Sequence, residues 1–349
     1  MNFADITDIA IPAGDVIKIQ DSGGTVLWEK PFTGSTFTMY FKKVDSDVAS
    51  SNITINHSGL IKLVIDGGYF TNDDNNIGNT IISGGSGNLF SYKSTSNPTV
   101  VTVYNPQNVK TLSLGAYYDH LYSFSNMSSL TNLETLRITH NDSFTQPLLI
   151  SNLPKLKGLY IDIGVTAADA LIKSISISNL PSLTYLDCNS TTATLSLNSC
   201  PKLEEVWTNV PVVSGGLSTF SGLSNLTNLA WINIENAESL STLSRMTNLK
   251  TLQLMGLKVT GDLSALSNLV NLKSLSLGDC ISATGNLSSL SKMSNLTFLN
   301  LSSQVIQPNS SGGYSRVYSK FTGDASVMRT YAPNLKTFYY QYSAITGTW

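Results

Sequence analysis

The chain has 349 residues, a formal net charge of −2 and 13% charged side chains, about half the quarter usual in soluble domains. Its lysines and arginines are scattered without a basic stripe, which argues against nucleic-acid binding. No apolar run approaches the ~20 residues of a membrane-crossing helix, so membrane insertion is not expected. Serine, threonine and asparagine supply 115 residues, yet a hydrophobic content of 41% is enough to build a core, which argues against wholesale disorder.

The first residues, MNFADITDIAIPAGDV, show no basic segment followed by an apolar one, so a secretory signal is not expected. Residues 11–30 read as a strand, a Ser22-Gly23-Gly24 turn and a second strand, a hairpin that closes at Pro31. The next stretch, 32–105, alternates apolar and polar residues at 36–41, 60–65 and 99–104. Turn-rich breaks fall at Asp66-Gly67-Gly68, at 72–76 and at 83–87. This pattern predicts a small antiparallel β domain, placed to cap the C-terminal remainder of the chain.

Beyond residue 105 the chain is repetitive. Of 44 leucines, four precede residue 101 and one follows residue 301. From residue 109 the pattern L-x-x-L-x-L occurs ten times, with first positions Val109, Leu133, Leu156, Leu183, Leu203, Leu229, Leu249, Leu272, Leu296 and Leu335. The sixth copy is read as Leu229-Ile232-Ile234. Steps run from 20 to 27 residues, except for 39 before the last copy, where a Gly/Ser-rich insertion sits at 308–313. Side chains alternate along a strand, so the pattern turns its leucines inward and the residues between them outward. One repeat cannot bury its apolar face alone, whereas stacked neighbours can. Ten parallel strands at ~4.8 Å give a concave sheet about 43 Å long. Asparagine before the first apolar position (Asn132, Asn228, Asn248, Asn271, Asn295 and Asn334) is expected to satisfy backbone groups in the turns.

Residues 106–341 resemble the leucine-rich repeat family. Thr260-Gly261-Asp262-Leu263 and Thr284-Gly285-Asn286-Leu287 look like the subclass with a second short strand on the outer side. The resemblance implies an α/β solenoid: a horseshoe with a parallel concave sheet and few or no regular helices, preceded by the small antiparallel β domain. The divisions are 1–31 for an attachment hairpin, 32–105 for the β domain, 106–301 for the repeats and 302–349 for a C-terminal repeat and cap. Residues 11–28, IPAGDVIKIQDSGGTVLW, resemble N-terminal segments of bacteriophage tail and other virion proteins. That likeness implies contact with other virion subunits through residues 1–31, with Trp28 as the assembly residue.

Chemistry-bearing motifs are scarce. Cys188, Cys200 and Cys280 are an odd set without metal-site spacing and read as small buried residues. His57, His120 and His140 have no partner at ligand spacing. The acidic stretch 72–78 lacks the closing Glu of a calcium loop, and the glycines at 83–87 lack the Lys-Ser/Thr of a phosphate loop. No metal, cofactor or catalytic activity is expected. Outward positions on successive strands instead bring together Tyr160 and Asp162, then Tyr185, Asp187 and Asn189, then Glu205, Trp207 and Asn209, then Trp231, Asn233 and Glu235. Aromatic rings with carboxylates and amides between them suit a protein or cell-surface glycan ligand. A pair such as Asp187 and Glu205 could serve hydrolysis, but the pattern shows no enclosing cleft. The reading is a non-enzymatic recognition protein. Its leading form is a phage tail-associated, receptor-binding virion protein that meets a bacterial surface. The alternative is a bacterial leucine-rich-repeat surface or effector-like protein that binds another protein.

Overall fold

The structure is a computed structural model that describes residues 18–20, 26–29, 34–43, 51–59, 61–72, 75–83, 88–115, 119–139, 147–163, 172–308 and 314–349. Residues 1–17, His140, the glycines at 84–87 and the insertion at 309–313 lie outside them, as do the side chains of Trp28 and His120. Lys18–Gln20 and Val26–Glu29 pair antiparallel, as the hairpin reading predicts.

The alternating stretches become neighbours in one antiparallel sheet. Thr99–Tyr104 lies between Thr36–Lys43 and Ile61–Asp66. Phe37, Met39, Phe41, Leu63, Val101 and Val103 are buried and their alternate neighbours are not, which is the two-residue period of a half-buried strand. Facing this sheet, Ser51–His57 and Asn88–Ser94 contribute Ile53, Ile55, Phe90 and Tyr92 to the core. The rings of Phe41 and Tyr92 meet at 5.3 Å. Ser51–His57 then pairs antiparallel with Val109–Gly115, Ile55 opposite Leu112. The N-terminal unit therefore covers the backbone edge and the apolar face of the first repeat. Asp119–Ser125 returns from the repeats to pair with Thr36–Lys43, so the two regions share strands.

From Val109–Gly115 onward, ten strands run parallel in one sheet: Thr135–Thr139, Gly158–Asp162, Tyr185–Asn189, Glu205–Asn209, Asn228–Trp231, Thr251–Leu254, Ser274–Ser276, Phe298–Asn300 and Thr337–Tyr339 come after it in order. The register is strict. Leu112, Leu136, Leu159, Leu186, Val206, Leu229, Leu252, Leu275, Leu299 and Phe338 form one inward column. Each fully buried leucine in it contributes roughly 1.5–3 kcal/mol by leaving water. Regular helix is confined to two single turns, Ser218–Ser221 and Met328–Tyr331, among the described residues. The fold is a leucine-rich-repeat solenoid with few helices.

The outer side changes along the chain. Leu148–Ser151, Ser174–Ser178, Thr194–Asn198 and Val212–Val213 form a second parallel sheet. Asn152, Asn179 and Ser199 follow its first three strands with φ of 59°, 53° and 54°, a conformation asparagine adopts more readily than most residues. Farther on, the outer elements are 3-10 turns at Leu240–Leu243, Leu263–Leu266 and Leu287–Leu290. Each is capped by a side chain, Ser239, Asp262 or Asn286, that accepts the N–H of Ser241, Ser264 or Ser288. The Thr-Gly motifs lead into these turns as short strands, and Thr322-Gly323 is a third instance. At Gly285, φ is 130° and an added Cβ would lie 2.6 Å from Leu263 N, so a side chain has no room.

The sixth repeat is shifted by three residues from its expected position. Leu229 pairs with Val206 and Leu252, not one turn earlier, and Trp231 sits opposite Thr208 and Leu254 in the inward column. The asparagines agree. Asn132, Asn248, Asn271, Asn295 and Asn334 donate to carbonyls of the preceding turn at 2.7–3.2 Å. In the sixth repeat Asn225 does this, to Pro201 O at 3.0 Å, and not Asn228. With Leu226 as its first position, the uneven steps of 26 and 20 become 23 and 23.

Candidate functional site

That shift moves three expected site residues off the concave face. Trp231 is 0% exposed, packs edge-on against Phe220 at 6.1 Å and donates Nε1–H to Val210 O at 2.8 Å. Its place in the L-x-x-L-x-L pattern is the last L, which points inward. Asn233 and Glu235 lie beyond the end of the strand Asn228–Trp231, where the chain has turned away. Asn233 has φ of 64°, and the Glu235 N–H donates to Pro211 O. The concave positions of this repeat fall instead to Ala230 and Ile232, two apolar residues.

The remaining eight expected residues share the concave face. Its central row runs Ser113, Arg137, Tyr160, Asp187, Trp207, Ala230, Gln253, Ser276, Asn300 and Tyr339, each paired with the next. Tyr185 and Glu205 occupy the row on one side, Asp162, Asn189 and Asn209 the row on the other. The residues cohere physically. Arg137 lies over the Tyr160 ring at 3.5 Å, a cation–π contact, and Tyr160 meets Tyr185 at 5.0 Å. Gly158 makes room for this stack, since a Cβ there would approach the Tyr160 ring to 3.2 Å. Trp207 Nε1–H donates to Glu205 Oε2 at 3.3 Å, and Asn189 Nδ2–H donates to Asp162 Oδ1 at 3.0 Å. Arg137 is the member that a search for aromatic and acidic residues misses. Its signal is its position, one strand before Tyr160 at the same offset.

Beyond the stack the face sinks into a pocket of about 240 Å³ lined by Asp187, Asn189, Trp207, Thr208, Asn209, Ala230, Ile232 and Gln253. Burial raises the Asp187 carboxyl above its ordinary value, nearby Asp162 raises it further, and Arg137 opposes both. Burial likewise raises the Tyr185 phenol, reinforced by Asp187, Tyr160 and Glu205. The three cysteines are buried as expected, and burial pushes Cys200 up to about 11 and Cys280 up to about 12, which keeps both as inert thiols near neutral pH. His57 is buried in the N-terminal unit against Gly59 O and Ser83 Oγ. Among the described residues no group of three or more His, Cys, Asp or Glu could hold a metal ion.

No family model and no curated protein matches the sequence. Among solved structures, the chain is similar to the Arabidopsis receptor kinase HAESA in complex with the peptide hormone IDA and a co-receptor (17% identity over 68% of this chain and 39% of that one, TM-score 0.46). It is also similar to a TDR receptor (19%, 63% and 40%, TM-score 0.34) and to an LRR protein of Leptospira interrogans (14%, 63% and 69%, TM-score 0.26). The chain spans about two-fifths of the length of the two receptor chains.

Proposed function

We propose that the chain is a recognition solenoid that binds an extended segment of another protein across the concave strip between Arg137 and Gln253. The observation that carries this is the run of partly exposed Tyr160, Tyr185 and Trp207, with their carboxylates, on three consecutive strands of the concave face, next to the pocket that Ala230 and Ile232 help to line. Six strands at ~4.8 Å make a strip of roughly 24 Å, a span that ~7 extended residues cover. Flat rings held at low entropic cost provide contact area, and Asp187, Asn189 and Asn209 orient the ligand by hydrogen bonds. Selecting binders to the full chain from a library of peptides of about 10 residues, then testing them against Tyr185→Ala, Trp207→Ala and Ser276→Ala, checks the reading. Peptide binding lost in the first two and kept in the third supports it. Peptides indifferent to all three, or hits confined to a glycan array, refute it.

The setting we propose is a virion. Residues 1–31 would attach the chain to other tail subunits, and the solenoid would meet the bacterial surface. Support comes from the phrase at 11–28 and from the antiparallel pairing of Lys18–Gln20 with Val26–Glu29. A chain lacking residues 1–31 should keep its solenoid and fail to enter purified particles. Normal incorporation would make residues 1–31 only part of the cap, and absence of the full chain from purified particles would leave a surface or effector-like binding protein as the setting.

A further inference from the structure

The pocket beside the aromatic stack has a composition that selects one kind of side chain. Its polar lining includes Asp187, which makes no hydrogen bond or ion pair among the described residues, and Asn189. The Asn189 amide N–H is committed to Asp162, and its Oδ1 is buried away from solvent. The Asp187 carboxylate is therefore the acceptor that this lining offers to a ligand. Trp207 forms a wall, and Ala230 and Ile232 are apolar. Asp162 and Glu205 lie alongside, each holding a neighbour's N–H. On the strands from Thr135–Thr139 to Thr251–Leu254 the one basic side chain is Arg137, and it is engaged with the Tyr160 ring.

We infer that this pocket receives a lysine or arginine side chain of the bound protein segment, an inference that rests on the concave face being the binding face. The alkyl stem would lie against Ile232, Ala230 and the Trp207 ring. The cationic head would donate to the Asp187 carboxylate. Size agrees: about 240 Å³ is below the ~300–1,000 Å³ of clefts that take drug-sized ligands, and it suits one long side chain better than a chain of sugars. Charge agrees: Asp187 lines the pocket, Asp162 and Glu205 lie alongside, and Arg137, stacked on the Tyr160 ring, offsets only part of this negative charge. Electrostatics agrees as well. Asp187 sits in a place that disfavours its charge, by burial first and by Asp162 second, and an arriving ammonium or guanidinium relieves both.

The test uses the full chain and four probes: Nα-acetyl-lysine amide, Nα-acetyl-arginine amide, and the norleucine and glutamine equivalents as neutral controls. The readout is the Trp207 indole N–H resonance, identified by its absence in Trp207→Phe. Probes are raised to about 50 mM, enough to reveal millimolar affinity. Lysine and arginine amides should shift that resonance at pH 7, norleucine and glutamine amides should not, and Asp187→Asn should remove the response. The shift should also weaken as pH falls through the Asp187 titration. Equal shifts with norleucine, or none with either cation, would overturn the inference. The peptides selected on the concave face separate this from the broader reading. If they depend on Trp207 yet tolerate loss of every Lys and Arg, the pocket assignment fails and the binding face stands. If they ignore Trp207, both fail.

Discussion

The repeats before and after the sixth differ on both faces. Early repeats step unevenly, by 27 and then 20 residues between Leu159, Leu186 and Val206. They carry an outer parallel sheet and present Arg137, Tyr160, Asp187 and Trp207 inside the curve. Later repeats step by 23, 23 and 24 between Leu229, Leu252, Leu275 and Leu299. They close with capped 3-10 turns and present Gln253, Ser276 and Asn300. The inward leucine column is continuous through both. One stacking principle thus supports two surfaces: the late repeats up to Ser274–Ser276 present hydroxyls and amides, with the Phe298–Tyr339 ring pair only at their far end, and the early ones combine rings with charges.

The sharpest test of that contrast lies in the two tryptophans at its boundary. Trp231→Ala removes a fully buried indole that also satisfies Val210 O, and should cost about 3–5 kcal/mol. Chemical denaturation would show it. Trp207→Ala, on the partly exposed face, should change stability by under about 1 kcal/mol. Equal losses would erase the distinction between core and face.

Next in size is Gly285→Val. With φ of 130° and Leu263 N 2.6 Å from the added Cβ, it should cost about 1–3 kcal/mol. Gly222→Ala, where nothing lies within 4 Å, is the control and should be nearly neutral. A smaller effect separates two asparagines. Asn225→Ala deletes a hydrogen bond to Pro201 O and should cost about 0.5–1.5 kcal/mol. Asn228→Ala should cost less, and the opposite order would favour the alternative register of the sixth repeat, with Leu229 as its first position.

The smallest effect has the opposite sign. Folding raises the Asp187 carboxyl above its unfolded value, so the native state binds the proton more tightly and ionisation of Asp187 costs stability. Asp187→Asn should therefore raise Tm at pH 7, by of order 1 °C. The gain builds as pH rises from the unfolded carboxylate value near ~4 through the raised folded one, then stays level. Thermal scans across that range check it, and a variant less stable than the parent at pH 7 would contradict it.

The repeat architecture was legible because each L-x-x-L-x-L copy states its own inward face, and stacking leaves one register that keeps every column apolar. The sixth copy was the exception because Leu223, Leu226 and Leu229 stand three apart, with Ile232 and Ile234 beyond. Local pattern alone fits two registers there. The even spacing that chooses between them is a property of neighbouring repeats. The same ambiguity takes Trp231, Asn233 and Glu235 off the concave face, while Tyr160, Asp187 and Trp207 lie on it because their copies have one reading. Apart from its position, Arg137 has no distinguishing signal in the sequence, since an outward arginine on a repeat resembles any solvated charge; only the ring 3.5 Å beneath it makes it part of the stack. The pocket itself was not legible, since Ala230 and Ile232 become its apolar lining only once the true register is known.

The most direct test of the central claim is the affinity of a concave-face peptide, selected on the full chain, for the parent and for Trp207→Ala, with circular dichroism confirming that both are folded. The account predicts a loss of about 30-fold or more, the effect of an aromatic hot spot worth ~2 kcal/mol, with Ser276→Ala unchanged. Parent-like binding by Trp207→Ala would contradict it and leave the rings as packing along the ladder.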